Sequence, residues 1–233
     1  MQAVILAAGR GTRMETLTEH LPKPLLRVAG KTLLEHKFDA LPDEVDEIVL
    51  VVGYLQEIIR ERFGNSCNEK RITYVVQENP IGGTMDALLK ARSILEGKFL
   101  VMNGDNIYAA EDMKNCLAYD WATVVMKTES VKYGARVEVA KDGTVQGIIE
   151  WEGHEGTPGF KNINLYALDT RIFEYPPVPK APGSNEHGLP QTIVAASKRS
   201  GIPFHAIEGT FWIQIKDAED LAAAERLMRD RGV

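Results

Sequence analysis

The sequence predicts an α/β fold: a mainly parallel mixed sheet with helices on both faces, followed by a half that contains a β-hairpin. Three observations carry this. Apolar runs of strand length alternate with amphipathic helical patterns up to Met126, paired strands take over after it, and no internal repeat or low-complexity linker divides the 233 residues. One domain over 1–233 is expected, with a first half over 1–126 and a second over 127–233.

Strands are expected over 3–7, 47–52, 72–77 and 99–103, separated by helices over 33–41, 55–63 and 84–95. Such alternation predicts right-handed βαβ units and hence parallel pairing. Leu55, Ile58, Ile59 and Phe63 mark one helical face and Met85, Leu88, Leu89 and Leu95 another, which makes them core positions rather than ligand contacts. Strands over 135–140 and 145–150, joined at Asp142-Gly143, form the hairpin. A further strand runs over 161–168. The Pro- and Gly-rich stretch 175–188 reads as a surface excursion before a helix over 189–200. Strands over 204–208 and 211–215 precede a last helix, capped by Asp217 and carrying Leu221, Ala224, Leu227 and Met228.

Composition narrows the class. No apolar run approaches the length of a membrane span, and a strand beginning directly after Met1 leaves no room for a signal peptide, so a cytoplasmic protein without membrane contact is expected. Cys67 and Cys116 stand far apart with no His or Cys at metal-ligand spacing, which argues for free thiols. A net charge of −6 opposes a nucleic-acid surface, yet Arg10, Arg13, Lys23 and Arg27 crowd one segment, a pattern that suits a small anionic ligand.

That segment holds the most informative residues. Val4-Ile5-Leu6-Ala7-Ala8 reads as a buried strand opening into Gly9-Arg10-Gly11-Thr12-Arg13, with Pro22-Lys23-Pro24 shortly after. Glycines let a phosphate approach the main chain and let successive N–H groups aim inward, and an arginine adds a planar charged fork. Walker A chemistry needs Gly-Lys-Ser/Thr, which is absent, and Met14 stands where a dinucleotide fingerprint needs a third small residue. An ordinary strand-to-loop turn is the alternative reading of a lone Gly-x-Gly.

Leu6-Ala7-Ala8-Gly9-x-Gly11-Thr12-Arg13, then Pro22-Lys23-Pro24-Leu25 and Gly30-Lys31-x-Leu33-Leu34-Glu35-His36, resembles the signature of the sugar-1-phosphate nucleotidyltransferases, also called nucleotide-sugar pyrophosphorylases. The resemblance implies a Rossmann-like sheet and a Mg²⁺-dependent transferase. In that family a sugar 1-phosphate attacks the α-phosphorus of a nucleoside triphosphate and pyrophosphate leaves. Because the nucleophile is already an anion, the site must supply alignment and charge neutralisation rather than a Ser, His or Cys. The first half then binds nucleotide and the second sugar phosphate.

Residue by residue, Arg13 resembles the family arginine on the leaving pyrophosphate and Lys23 the lysine near the α-phosphate. Leu6, Ala8, Gly9, Gly11 and Thr12 fall in the nucleotide loop. Asn103-Gly104-Asp105-Asn106 ends an apolar strand, and Asp105 offers the hard oxygen that Mg²⁺ takes, unless it merely turns the chain. The family places Asp or Asn after Trp-x near the C-terminus; here Gln214 stands there and would be a neutral ligand. The 77–84 segment resembles the base-recognition segment. Gln77 suits a pyrimidine edge, Gly83 would let a base lie on the backbone, and Thr84 is either a contact or a helix N-cap. UTP or dTTP is expected.

Gly134, Glu150 and Asn162 match positions that contact the sugar. Trp151 stands where many relatives carry a lysine for the sugar phosphate, a charge that Lys161 could replace, and Asn164 stands where the family often has Gly. A cytidylyltransferase acting on a non-sugar phosphate such as phosphocholine, and a noncatalytic nucleotide- or sugar-sensing subunit, are the competing readings. From the length, the left-handed β-helix acyltransferase domain of some relatives is not expected. Association into a homo-oligomer is an expectation carried by the resemblance alone.

Overall fold

The apolar runs of the first half become the centre of one sheet. The computed structural model describes residues 1–78, 80–129, 133–152 and 158–231. In chain order the elements are β1 (Gln2–Ala7), β2 (Arg27–Val28), β3 (Lys31–Thr32), α1 (Leu33–Ala40), β4 (Glu47–Val52), α2 (Gln56–Phe63), β5 (Ser66–Cys67), β6 (Lys70–Val76), α3 (Gly83–Lys90), β7 (Lys98–Asn103), β8 (Asn106–Tyr108), α4 (Ala110–Cys116), β9 (Trp121–Thr128), β10 (Tyr133–Val139), β11 (Val145–Glu152), β12 (Gly159–Asp169), α5 (Leu189–Ser200), β13 (Phe204–Glu208), β14 (Trp212–Gln214) and α6 (Ala218–Asp230). Turns of 3₁₀ helix cover Thr12–Thr18 and Lys23–Leu25.

Among the described residues ten strands form one sheet in the order β11-β10-β12-β7-β1-β4-β6-β5, with β9 alongside β12 and β13 on β9. Its middle, β7-β1-β4-β6, is parallel, and Ile5 lies between Leu50 and Met102. β1, β4 and β7 are apolar along their centres because both faces are covered there, whereas β6 carries Lys70, Arg71 and Thr73 and is only partly buried. Val4, Val49, Val51 and Val101 pack towards α3 and α5, while Ile5, Ile48, Leu50 and Met102 pack towards α1, α2 and α4. A third cluster joins Met14, Val28, Leu33, Ile107, Ile213, Ile215, Ala224 and Met228, and so ties the glycine loop, β8, β14 and α6 together.

The second half joins the same sheet antiparallel through β12, which pairs with β7 over Leu165–Asp169. A register shift between Asn162 and Tyr166 lets the earlier part of β12 run beside β9 and the hairpin strand β10. Asn164 occupies that shift with φ 58°. Left-handed backbone is open to Gly and, next best, to Asn, which accounts for the residue type found there.

Two expectations are corrected. The helix over 84–95 starts at Gly83 and ends at Lys90, giving way to a 3₁₀ turn at Arg92–Ile94. The 175–188 stretch is no mere surface excursion. Pro179 and His187 form a bridge, and the His187 N–H donates to the Gly82 carbonyl at 2.9 Å while the His187 carbonyl accepts from the Met85 N–H at 3.0 Å. The segment is thereby pinned to the start of α3. Among the described residues no helix is long and apolar enough to cross a membrane.

Candidate active site

The C-terminal ends of parallel strands collect loops on one edge of a sheet, which is where open α/β sheets hold ligands. A cavity of about 440 Å³ lies there. From the first half it is lined by Leu6, Ala8, Gly9, Gly11, Lys23, Gln77, Gly83, Thr84 and Asp105, and from the second by Gly134, Glu150, Lys161, Asn162, Asn164 and Gln214. Thr12 and Arg13 are not among the lining residues; they stand exposed on the 3₁₀ segment that follows Gly11.

Gly11 has φ 69°, and a Cβ there would sit 3.1 Å from Cβ of Lys23, so the glycine is what lets the Lys23 stem pass under the loop. Pro22 is extended and Pro24 lies inside the 3₁₀ turn, fixing the backbone on both sides of Lys23. Its ammonium meets Asp105 Oδ2 at 2.8 Å, with both side chains largely buried. Asp105 sits on the turn between β7 and β8. Its carbonyl accepts from the Ile215 N–H at 3.0 Å, and the pairing of β14 with β8 sets Gln214 opposite Asn106, beside that turn.

Beneath the turn lies a group that the sequence reading missed. Lys37 of α1 is fully buried and donates to the carbonyls of Leu33 at 3.0 Å, Gly104 at 2.9 Å and Asn106. Burial pushes its ammonium down to about 7, opposed by Asp105 and reinforced by Lys23. A signal existed: Leu34, Lys37, Phe38 and Leu41 occupy i, i+3, i+4 and i+7, so a lysine stands inside an apolar helical stripe.

Gln77 is buried and lines the cavity, and its Nε2 donates to Asp86 Oδ2 at 2.9 Å. Gly83 has φ 87°, and a Cβ there would lie 2.5 Å from the His187 carbonyl oxygen. The glycine is therefore demanded by the approach of the 175–188 segment. Thr84 is not the cap of α3, since that position is Gly82; its hydroxyl accepts the Leu189 N–H at 2.9 Å and so holds the start of α5. Asn79 lies outside the described residues.

On the acceptor side, Asn162 is buried in β12 rather than solvated at an edge. Its Nδ2 donates to Tyr166 Oη at 2.7 Å and Asn164 Oδ1 at 3.1 Å, and its Oδ1 accepts from Thr123 Oγ1 and the Asn164 N–H. That amide holds the bulge, and Asn164 Nδ2 remains as the donor the bulge offers. Gly134, with φ 100°, pairs with Trp151, whose side chain lies outside the described residues. Lys161 passes Gly134 closely and holds its ammonium 4.8 Å from the Trp212 ring centroid, with no carboxylate in ion-pair range among the described residues. Burial lowers its affinity for the proton, as does Lys216, against Asp220. Gln191 Nε2 reaches Glu150 Oε1 at 3.5 Å, and Lys180 and Glu186 complete the wall. These three were also missed, because only the fold-back of 175–188 brings them here.

No cluster of three or more His, Cys, Asp or Glu suited to a metal occurs among the described residues. One carboxylate beside an amide carbonyl does fit Mg²⁺, which fills its shell from water and phosphate rather than from a protein cage.

Comparison with known proteins identifies the family and the fold. A family model described as nucleotidyl transferase matches residues 2–188. The bifunctional protein GlmU of Methanococcus maripaludis is 35% identical over 174 residues, 74% of this chain and 41% of its own length. The chain thus spans about four-tenths of that relative. The UTP–glucose-1-phosphate uridylyltransferase AglF of Haloferax volcanii is 32% identical over 241 residues, covering 99% of this chain and 97% of that protein. Among solved structures, HddC from Yersinia pseudotuberculosis aligns with a TM-score of 0.74 at 25% identity, over 97% of this chain and 99% of that one.

Proposed function

The chain belongs to the nucleotidyl transferase family, and we propose that it transfers a nucleotidyl group from UTP or dTTP to a sugar 1-phosphate, forming a nucleoside diphosphate sugar and pyrophosphate. The observation that carries this is the meeting, in one cavity, of the glycine loop with Lys23 and Asp105 on one side and, on the other, Lys161, which has no carboxylate partner among the described residues. A phosphate oxygen of the sugar attacks the α-phosphorus, the bond to the β-phosphate oxygen breaks, and pyrophosphate carries away the charge. Lys23 neutralises the α-phosphate, and Lys161 receives the sugar phosphate, supplying the charge that Trp151 does not. Arg13, outside the wall, is assigned to the outer phosphates that leave.

Gln77 favours uracil or thymine: with Nε2 donating to Asp86, the amide oxygen is the atom left to accept from a ring N3–H, which these bases have and cytosine lacks. The uridylyltransferase name of AglF supports UTP. Asp105 and Gln214 would hold Mg²⁺, which when bound screens the repulsion between the two phosphorylated substrates.

Pyrophosphate release from a panel of triphosphates crossed with phosphorylated acceptors tests the reading. Turnover is expected with UTP or dTTP and a sugar 1-phosphate, and Lys23→Ala or Asp105→Ala should lose it by about 3 kcal/mol of transition-state stabilisation while circular dichroism stays unchanged. Release only with CTP and a phospho-alcohol, or tight triphosphate binding with no turnover on any acceptor, would overturn it.

A further inference from the structure

Lys37 is a charged side chain sealed under the cavity floor, where it can touch neither solvent nor substrate. A Leu or Met would pack at this helical position without taking an ammonium out of water, a step that costs several kcal/mol unless the charge is well held. What holds it is specific. Its three N–H donors meet three backbone carbonyls, one from its own helix and two, Gly104 and Asn106, on either side of Asp105.

The rest of the turn is tied in other directions. The Gly104 N–H donates to the Leu6 carbonyl at 2.8 Å, the Asp105 carbonyl takes the Ile215 N–H, and the Asn106 amide donates to Tyr108 Oη at 2.8 Å and the Ile163 carbonyl at 3.2 Å. Among the described residues, only Lys37 grips both residues flanking Asp105 at once. Resting on the transfer reading of this cavity, we propose that Lys37 is a positioning residue: it clamps the β7-β8 turn from below and fixes the Asp105 carboxylate against Lys23 before substrate arrives.

The test is a double-mutant cycle on kcat, with Lys37→Met and Lys37→Gln each crossed with Asp105→Asn, joined to amide hydrogen exchange over 103–107 in the ligand-free protein. Both Lys37 variants are expected to fold, to lower kcat by about tenfold or more with the KM for the triphosphate within about threefold, and to blunt the cost of Asp105→Asn. Exchange over 103–107 should rise about tenfold while the sheet centre keeps its protection. An equal cost of Asp105→Asn in both backgrounds, or unchanged exchange, would overturn the proposal, and loss of the fold in both variants would assign Lys37 to structural support alone. A failure of the transfer reading is seen separately, as an inactive wild type, and the exchange arm still decides the clamp.

Discussion

Gly83 illustrates how much a single backbone position sets the cavity. With φ 87° and the His187 carbonyl where a Cβ would stand, it is strained for any L side chain. Gly83→Ala should therefore destabilise the protein by about 2 kcal/mol or more, read as a lower urea midpoint; a midpoint within error of wild type would refute this account. Asn164 makes the complementary case at φ 58°. Replacing it by Val puts a β-branched residue in left-handed backbone and also removes the Oδ1 that accepts from Asn162 and Tyr166, so it should cost about 2–3 kcal/mol; Asn164→Gly keeps the conformation, loses only that acceptor, and should cost about 1 kcal/mol in thermal stability. Gly11, Lys23 and Asp105, all singled out by residue type, lie together at the cavity. Of the two readings of Thr84, the helix cap fails, because the residue lines the cavity and its hydroxyl holds the start of a different helix.

At the scale of elements, β4 shows how polar ends are fastened to an apolar strand. Glu47 begins it. Burial raises its pKa, but hydrogen bonds from Thr73, Gln2 and Arg71 outweigh that and hold it below the usual 4.5. Because the folded value is the lower one, this carboxylate stabilises the fold fully above about 4.5 and the contribution is lost as pH falls through the folded value. Glu47→Gln should flatten the acid side of the stability curve, measured as urea midpoints on both sides of 4.5, and an unchanged curve would count against it. Element type was readable from periodicity, whereas ends were not. α3 begins one residue early because Gly83 is shaped by His187, 104 positions further along, and no local pattern contains that neighbour.

For the whole molecule, the decisive fact is that β7 lies between β1 of the first half and β12 of the second. The two halves share a sheet and a core, with Val4 and Leu168 in one buried cluster. Denaturant unfolding followed by tryptophan fluorescence and by circular dichroism should give coincident single transitions, and two separated transitions would show that the halves fold independently.

Short-range residue pattern was enough to reveal the strand-to-glycine loop, the cation-bearing turn after it, the polar tip at Asp105 and the family they mark, since these depend on neighbours within a few residues. Tertiary structure alone decided that Arg13 stands outside the cavity wall, that Lys180, Glu186 and Gln191 line it, and that Lys37 sits beneath Asp105. Those placements follow from sheet register and helix packing. Lys37 and Gly104 are 67 residues apart, and a contact at that separation is fixed by the sum of many weak apolar contacts between elements, which leaves no mark on either residue's local sequence.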